Sequence, residues 1–100
     1  MAKRTKEEIF RTLAANKEQL RRLGVRSLAL FGSAARGENR ETSDLDFVVE
    51  LERKTFDAYM DLKYLLEGLF DSKVDLVIAD AIKPRLRNAI LSEAVHAPGF

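Results

Sequence analysis

The sequence predicts a mixed α/β fold, a small sheet of three or more strands flanked by helices. Short apolar runs of strand length alternate with longer stretches whose apolar residues recur at helical spacing. Gly, Pro and polar turn residues separate these segments, as expected between elements of a mixed sheet. A chain of 100 residues is near the common size of one domain, so residues 1–100 are expected to form a single domain.

The first helix is expected to begin at a capping box and the first strand to follow it directly. Thr5 is placed to cap the helix and Glu8 to reach back to it. Apolar residues then recur at helical spacing up to Gly24, the expected C-terminal cap. The apolar run Val25–Phe31, bounded by Gly24 and Gly32, predicts a mostly buried strand.

Two strands and two helices complete the prediction. After a polar surface loop over residues 37–43, Leu45–Leu51 is expected to be the second strand. A broad apolar stripe predicts a second helix over residues 55–70, and alternation predicts a third strand over 73–78. The element order is therefore helix, strand, strand, helix, strand, helix.

A third helix is predicted from Pro84, which is acceptable in a first helical turn, to an end at Pro98 and Gly99. Its predicted inner face consists of Leu86, Ala89, Ile90 and Ala94. A basic cluster at its start consists of Lys83, Arg85 and Arg87. Such a cluster is either a solvated face or a contact for phosphates or an acidic partner.

Charge and composition exclude several classes of function. The 17 Lys and Arg against 16 Asp and Glu leave a net charge of +1, whereas long nucleic acids usually require a clearly basic protein. The absence of Cys excludes disulfides and thiolate metal sites. No apolar run approaches the roughly 18–20 residues of a membrane span, so we expect a cytoplasmic protein without membrane contact.

Two carboxylates at the start of the second strand indicate a cation site. Asp44 and Asp46 are two positions apart, so both point to the same face of the strand. Two like charges about 4 Å apart repel by on the order of 4 kcal/mol at an effective dielectric near 20, and a cation would reverse that sign. Hard oxygen ligands favour Mg²⁺ where phosphates complete its shell. Solvated turn or strand-edge residues are the alternative interpretation.

Asp75 strengthens the interpretation as a metal site because it interrupts the third apolar strand on the face opposite the expected core. If that strand neighbours the second, three carboxylates converge. Two metal ions about 3.5–4 Å apart then become possible, one for phosphates and one for an attacking hydroxyl.

The Gly32-Ser33 step ends the first strand and leads into a helix start. Backbone N–H groups are free at such a turn, Gly lets a phosphate approach closely, and a Ser hydroxyl can donate to it. On its own, Gly-Ser is also an ordinary turn.

The combination of these features resembles a known family. Residues 32–37 (Gly-Ser-Ala-Ala-Arg-Gly) are followed by Asp44-Leu45-Asp46 and an apolar strand, with ten residues between Ser33 and Asp44. This pattern is similar to the signature of the polymerase-beta-type nucleotidyltransferases, and most of all to the minimal nucleotidyltransferases, which are short and single-domain. The resemblance extends over nearly the whole chain, through Asp75 to the third helix.

The resemblance implies a role for each motif residue. The Gly-Ser turn would bind the triphosphate, and Arg36 matches a commonly basic position near the phosphates. The Asp-x-Asp pair would ligate Mg²⁺, and Asp75 would complete the acceptor-side metal site and help to activate the hydroxyl. The implied catalytic and metal-binding residues are Asp44, Asp46 and Asp75, and the implied nucleotide-binding residues are Gly32, Ser33 and Arg36.

The resemblance also implies a reaction and a partner. An acceptor hydroxyl would attack the α-phosphorus of ATP, and pyrophosphate would leave. Minimal nucleotidyltransferases resemble the antitoxin half of a pair whose toxin is a small helical HEPN ribonuclease, to which they add AMP on a tyrosine. We therefore expect this role. The alternatives are a non-catalytic module that blocks its partner sterically and a nucleotidyltransferase that modifies a small molecule such as an aminoglycoside.

Overall fold

The computed structural model describes residues 5–38 and 44–100 and confirms the mixed α/β fold. The elements are α1 (Lys6–Ala15), α2 (Lys17–Arg22), β1 (Val25–Phe31), α3 (Gly32–Ala35), β2 (Leu45–Leu51), α4 (Phe56–Phe70), β3 (Val74–Ile78), a 3₁₀ turn (Ala79–Ala81), α5 (Pro84–Glu93) and β4 (Val95–His96). The expected loop over residues 37–43 falls largely outside the described residues. Within the described ranges, no helix is long and apolar enough to cross a membrane.

The four strands form one sheet in the order β3-β2-β1-β4. β2 and β3 are parallel, and the other two pairs are antiparallel. A parallel pair needs a crossover connection, and α4 supplies it between β2 and β3. The condition under which the carboxylates of the second and third strands can converge, that these strands are neighbours, is therefore met.

The main core lies between one face of the sheet and the helices α1, α2 and α4. Leu30, Phe47 and Leu76 are register neighbours on β1, β2 and β3, and all three are buried on this face. The Phe47 ring stacks on Phe70 of α4 with ring centroids 5.9 Å apart. Full burial of such a side chain contributes about 1.5–3 kcal/mol. Because side chains alternate along a strand, Asp46 and Asp75 point to the opposite face.

The predicted first helix is wrong in one respect, because it consists of two helices separated at Asn16. Asn16 has φ −114° and ψ 18°, outside the helical region, and its side-chain amide donates to the carbonyl oxygen of Thr12 at 2.9 Å. Asn competes with helical backbone bonding in this way. At the start of α1 the predicted cap is confirmed, since the Thr5 hydroxyl accepts from the Glu8 N–H at 3.1 Å.

The predicted end of the third helix is also wrong. α5 ends at Glu93, and Ala94 adopts an extended backbone. Val95–His96 then forms β4, where Val95 pairs with Leu30 and His96 with Ala29 of β1. A two-residue strand is too short to leave a periodic signal in the sequence.

The predicted burial of the third helix is not observed. The residues expected on its inner face are Leu86, Ala89, Ile90 and Ala94, and none of them is buried. Leu86 is 46% exposed. The reason is that α5 contributes nothing to the main core, whose sheet face is already covered by α1, α2 and α4. Periodicity identifies an apolar face but not whether a surface is available to cover it.

Candidate active site

Two of the predicted carboxylates meet on the sheet face opposite the main core. Asp46 of β2 and Asp75 of β3 are direct partners in the parallel register, so their side chains lie next to each other on the same face of the sheet. Asp46 is half-buried and Asp75 is exposed. Both side chains are therefore directed away from the hydrophobic interior, as the sequence predicts.

The electrostatics of Asp46 reflect this crowding. The pKa of the Asp46 carboxyl is raised from 3.8 to about 6, and burial is the largest cause of this rise. The hydrogen bond and negative charge of Asp75, and then the charge of Asp44, also contribute to the rise, whereas the positive charge of Arg36 opposes it. Asp44 is exposed immediately before β2 and acts on Asp46 through its charge.

The donor set fits a hard divalent cation, although it is not a preformed cage. Among residues 5–38 and 44–100, no three acidic, His or Cys side chains converge closely enough to form a metal cluster. Asp46 and Asp75 nevertheless place carboxylate oxygens together, and their mutual repulsion is what a cation relieves. Oxygen ligands of this kind suit Mg²⁺, which takes one or two carboxylates and completes its shell with phosphates and water.

The Gly-Ser turn lies against the Asp46 carboxylate. Gly32 has φ +73°, in the left-handed region that favours Gly. A Cβ atom at Gly32 would lie 3.0 Å from the Asp46 Cγ and would overlap its Oδ2. The absence of a side chain at Gly32 therefore allows the two motifs to approach each other.

Ser33 and Arg36 belong to the same turn. Ser33 is the second residue of α3 and is partly exposed, and the buried Ala34 anchors this helical turn in the core. Arg36 is exposed, and its Nε donates to the Glu38 carboxylate at 3.1 Å. The structure thus brings Gly32, Asp46 and Asp75 together, with Arg36 close enough to influence Asp46 electrostatically.

Glu93 is a member of this site that the sequence interpretation missed. Its Oε1 accepts a hydrogen bond from the Gly32 N–H at 3.0 Å and another from the Arg36 Nη1 at 2.5 Å. Glu93 is 57 residues from Arg36 and reaches it from the end of α5, so spacing could not reveal the contact. One signal was available: an acidic residue in the last turn of a helix opposes the helix dipole.

The basic cluster at the start of the third helix is exposed. Of its members, Arg87 donates to the carbonyl oxygen of Ala79 in the 3₁₀ turn at 3.5 Å. In the same turn, Asp80 pairs with Lys54, and this hydrogen bond lowers the pKa of the Asp80 carboxyl. Both contacts are made to residues of the 3₁₀ turn, and they involve none of the predicted site residues.

A Gly-Ser turn at a helix start, placed against acidic residues on adjoining strands, is typical of an enzyme that transfers phosphate-containing groups with the help of a divalent cation. The fold and the site therefore define this chain as a candidate phosphoryl- or nucleotidyl-transfer enzyme.

Comparison with known proteins identifies the family. Residues 13–96 match the model of the nucleotidyltransferase domain, so the chain belongs to the nucleotidyltransferase domain family and is a nucleotidyltransferase. It is similar to the protein adenylyltransferase MntA of Thermococcus cleftensis, with 40% identity over 96% of this chain and 99% of that protein.

Solved structures support the same fold. A structure described as a minimal nucleotidyltransferase is 42% identical, covers 86% of this chain and 93% of its own, and superposes with a TM-score of 0.71. The structure of a tri-AMPylated Shewanella oneidensis HEPN toxin in complex with MNT antitoxin is 21% identical over 87% of this chain and 72% of its own, with a TM-score of 0.58. At that identity the likeness concerns the fold.

Proposed function

We propose that this nucleotidyltransferase is an Mg²⁺-dependent adenylyltransferase that transfers AMP from ATP to a hydroxyl group of a partner protein. The observation that carries the proposal is the contact between the Gly32 turn and Asp46, with Asp75 beside it in register. The similarity to the protein adenylyltransferase MntA over nearly the whole chain supports adenylyl as the transferred group and a protein as the acceptor.

The Gly-Ser turn is the proposed holder of the triphosphate. Gly32 supplies a backbone N–H, which donates to Glu93 in this structure, and Ser33 supplies a hydroxyl donor. The Arg36 guanidinium is the positive charge of the turn. Its Nε donates to Glu38 and its Nη1 to Glu93, and the same nitrogens can pair with phosphate oxygens. Together these groups would hold the leaving pyrophosphate and stabilise its charge.

Asp44, Asp46 and Asp75 are the proposed ligands of one or two Mg²⁺ ions. When bound, Mg²⁺ neutralises charge on the phosphates and lowers the pKa of the acceptor hydroxyl. Asp75 is the exposed member of the Asp46–Asp75 pair, so its carboxylate is the more accessible of the two to an incoming hydroxyl. We assign it the removal of the acceptor proton.

The proposed acceptor is a tyrosine hydroxyl of a small helical HEPN toxin, with this chain as the antitoxin. The fold shared with the MNT antitoxin bound to an AMPylated HEPN toxin supports this partner. The proposal distinguishes catalysis from steric blocking, because AMP transfer leaves a covalent mark on the toxin whereas blocking leaves none.

The test is transfer of label from α-labelled ATP to a co-purified HEPN partner in the presence of Mg²⁺. Wild-type protein is expected to label the partner, and mass spectrometry is expected to place the AMP on tyrosine. Replacing both aspartates of the Asp-x-Asp pair (Asp44→Asn with Asp46→Asn) should lower the rate on the order of 10³-fold or more, because charge stabilisation is lost.

Asp61→Asn on the exposed side of α4 is the matched control and should retain wild-type labelling. Neutralisation of the toxin by the double variant, with complex formation intact, would support steric blocking. A small hydroxylated acceptor labelled without any protein partner would support small-molecule modification. Either result contradicts the proposed function.

A further inference from the structure

The phosphate-binding turn of this chain already holds an anion of its own, the Glu93 carboxylate. One oxygen of that carboxylate accepts both the Gly32 N–H and an N–H of Arg36. Hydrogen bonds to a charged partner are stronger than neutral ones, so Glu93 engages both donors firmly in this structure. They are also the backbone and side-chain donors that the proposed function assigns to the triphosphate.

We infer that Glu93 is an internal competitor of the triphosphate, occupying the donors of Gly32 and Arg36 until a nucleotide displaces it. The inference rests on the proposed function, because it concerns the same turn. A carboxylate and a phosphate oxygen cannot occupy one position on the Gly32 N–H together. The two negative charges would also repel each other around a single guanidinium.

The position of Glu93 allows its side chain to leave while its backbone stays in place. The Ala94 N–H donates to the Ile90 carbonyl at 3.0 Å, and Val95 pairs with Leu30 in the sheet. The neighbouring Ala97 N–H donates to the Leu28 carbonyl at 2.8 Å, which fixes the segment after β4. By contrast, the Glu93 side chain is 35% exposed, so rotation about its own bonds takes the carboxylate into solvent.

Displacement of this kind favours ligands with several phosphate charges. A triphosphate can engage the Gly32 N–H, the Ser33 hydroxyl and Arg36 together, which exceeds what one carboxylate oxygen provides. A ligand without phosphates leaves Glu93 in place. Glu93 therefore acts as a specificity-determining residue, since it raises the number of phosphate contacts that a ligand must supply.

The experiment compares Glu93→Gln with wild type by calorimetric titration in the presence of Mg²⁺. The probes are an ATP analogue that cannot be cleaved between the α and β phosphates, inorganic tripolyphosphate, and adenosine. Glu93→Gln should bind the first two roughly three- to tenfold more tightly, because a partly screened negative charge has been removed. Affinity for adenosine should not change, and the gain should shrink as salt is added.

Glu18→Gln is the matched control. Glu18 makes a similar carboxylate–guanidinium pair with Arg22 at 2.6 Å, on the exposed surface of α2, and its neutralisation should leave all three affinities unchanged. Glu93→Ala tests the same point by removing the carboxylate, and it should shift affinity in the same direction. Circular dichroism establishes that each variant is folded.

Equal or weaker binding of the analogue by folded Glu93 variants would overturn the inference and would instead make Glu93 a residue that positions Arg36 for the nucleotide. Failure of both wild type and variants to bind the analogue would contradict the proposed function itself. Binding by wild type without any gain in the variants contradicts only the role of Glu93.

Discussion

The contact between Gly32 and Asp46 makes the position of the Gly-Ser turn depend on the position of the Asp-x-Asp pair. The backbone of Gly32 adopts a positive φ and lies so close to the Asp46 carboxylate that no Cβ atom fits between them. This contact sets the spacing between the turn and the acidic residues. It also gives a physical reason for Gly at this position that does not depend on the ligand.

Gly32→Ala is expected to damage both stability and nucleotide binding. The substitution forces an L side chain into the left-handed region and against Asp46, which should lower the free energy of unfolding by about 1–3 kcal/mol. Urea denaturation measures that loss, and calorimetric titration with the uncleavable ATP analogue measures the loss of affinity.

Gly68→Ala is the control for Gly32→Ala. Gly68 lies inside α4, and a Cβ atom there would meet nothing within 4 Å. Ala is the better helix former, so this variant should gain about 0.5–1 kcal/mol and bind the analogue normally. Equal effects of the two substitutions would show that the contact with Asp46 is unimportant.

At the scale of elements, α4 is what brings the acidic residues together. It connects β2 to β3 and packs its buried face on the same sheet, so that Asp46 and Asp75 lie side by side. A second link is the hydrogen bond from the Tyr59 hydroxyl to the Leu76 carbonyl at 2.7 Å, which joins α4 to β3 directly. The geometry of the site therefore depends on how α4 is packed.

Leu66→Ala tests that dependence. Leu66 is fully buried on α4, and its truncation should cost about 2–5 kcal/mol through lost burial and the cavity left behind. Urea denaturation measures the loss, and nucleotide affinity is expected to weaken as the fraction of folded protein falls. Tyr64→Ala, on the same helix but 63% exposed, should change stability by no more than about 0.5 kcal/mol. A similar loss in both variants would contradict this account of the core.

At the scale of the whole molecule, the acidic residues that are proposed to bind the ligand lower the stability of the folded protein. The folded protein keeps Asp46 half-buried beside Asp75 and near Asp44, where its ionised form is disfavoured. Active sites commonly carry such unfavourable charges. In the absence of a divalent cation, the whole protein is therefore expected to be more stable when Asp46 is neutral than when it is ionised.

The pH dependence of unfolding follows from the sign of this shift. The pKa of Asp46 is about 6 in the folded state against an ordinary 3.8, so the folded protein binds that proton more tightly than the unfolded chain. The resulting stabilisation is fully present below about pH 3.8 and is lost as pH rises through 6.

The variant Asp46→Asn has no carboxyl group that can ionise at this position, so it cannot lose this stabilisation as pH rises. Without divalent cations, it should be more stable than wild type by about 1 kcal/mol at neutral pH, after allowance for solvent screening, with the difference vanishing near pH 4. Thermal unfolding across this pH range measures the effect, and Asp61→Asn on the exposed side of α4 should show no such trend. A constant difference at every pH would contradict the assignment.

Sequence alone determined the class of fold, the limits of β1 and β2, and the motifs, because these depend on local properties: side-chain alternation, helical spacing, capping and turn chemistry. It also placed Asp75 correctly on the face away from the core, since strand alternation decides that. The break at Asn16 left a weaker local trace, in a side chain that competes with the helical backbone.

Tertiary structure alone decided which distant residues meet. The parallel pairing of β2 with β3 set Asp46 beside Asp75, and the short β4 brought Glu93 to Gly32 and Arg36. Whether α5 would be buried depended on how the other helices covered the sheet. These outcomes come from competition among elements for one sheet surface and one set of donors, and no local pattern encodes that competition.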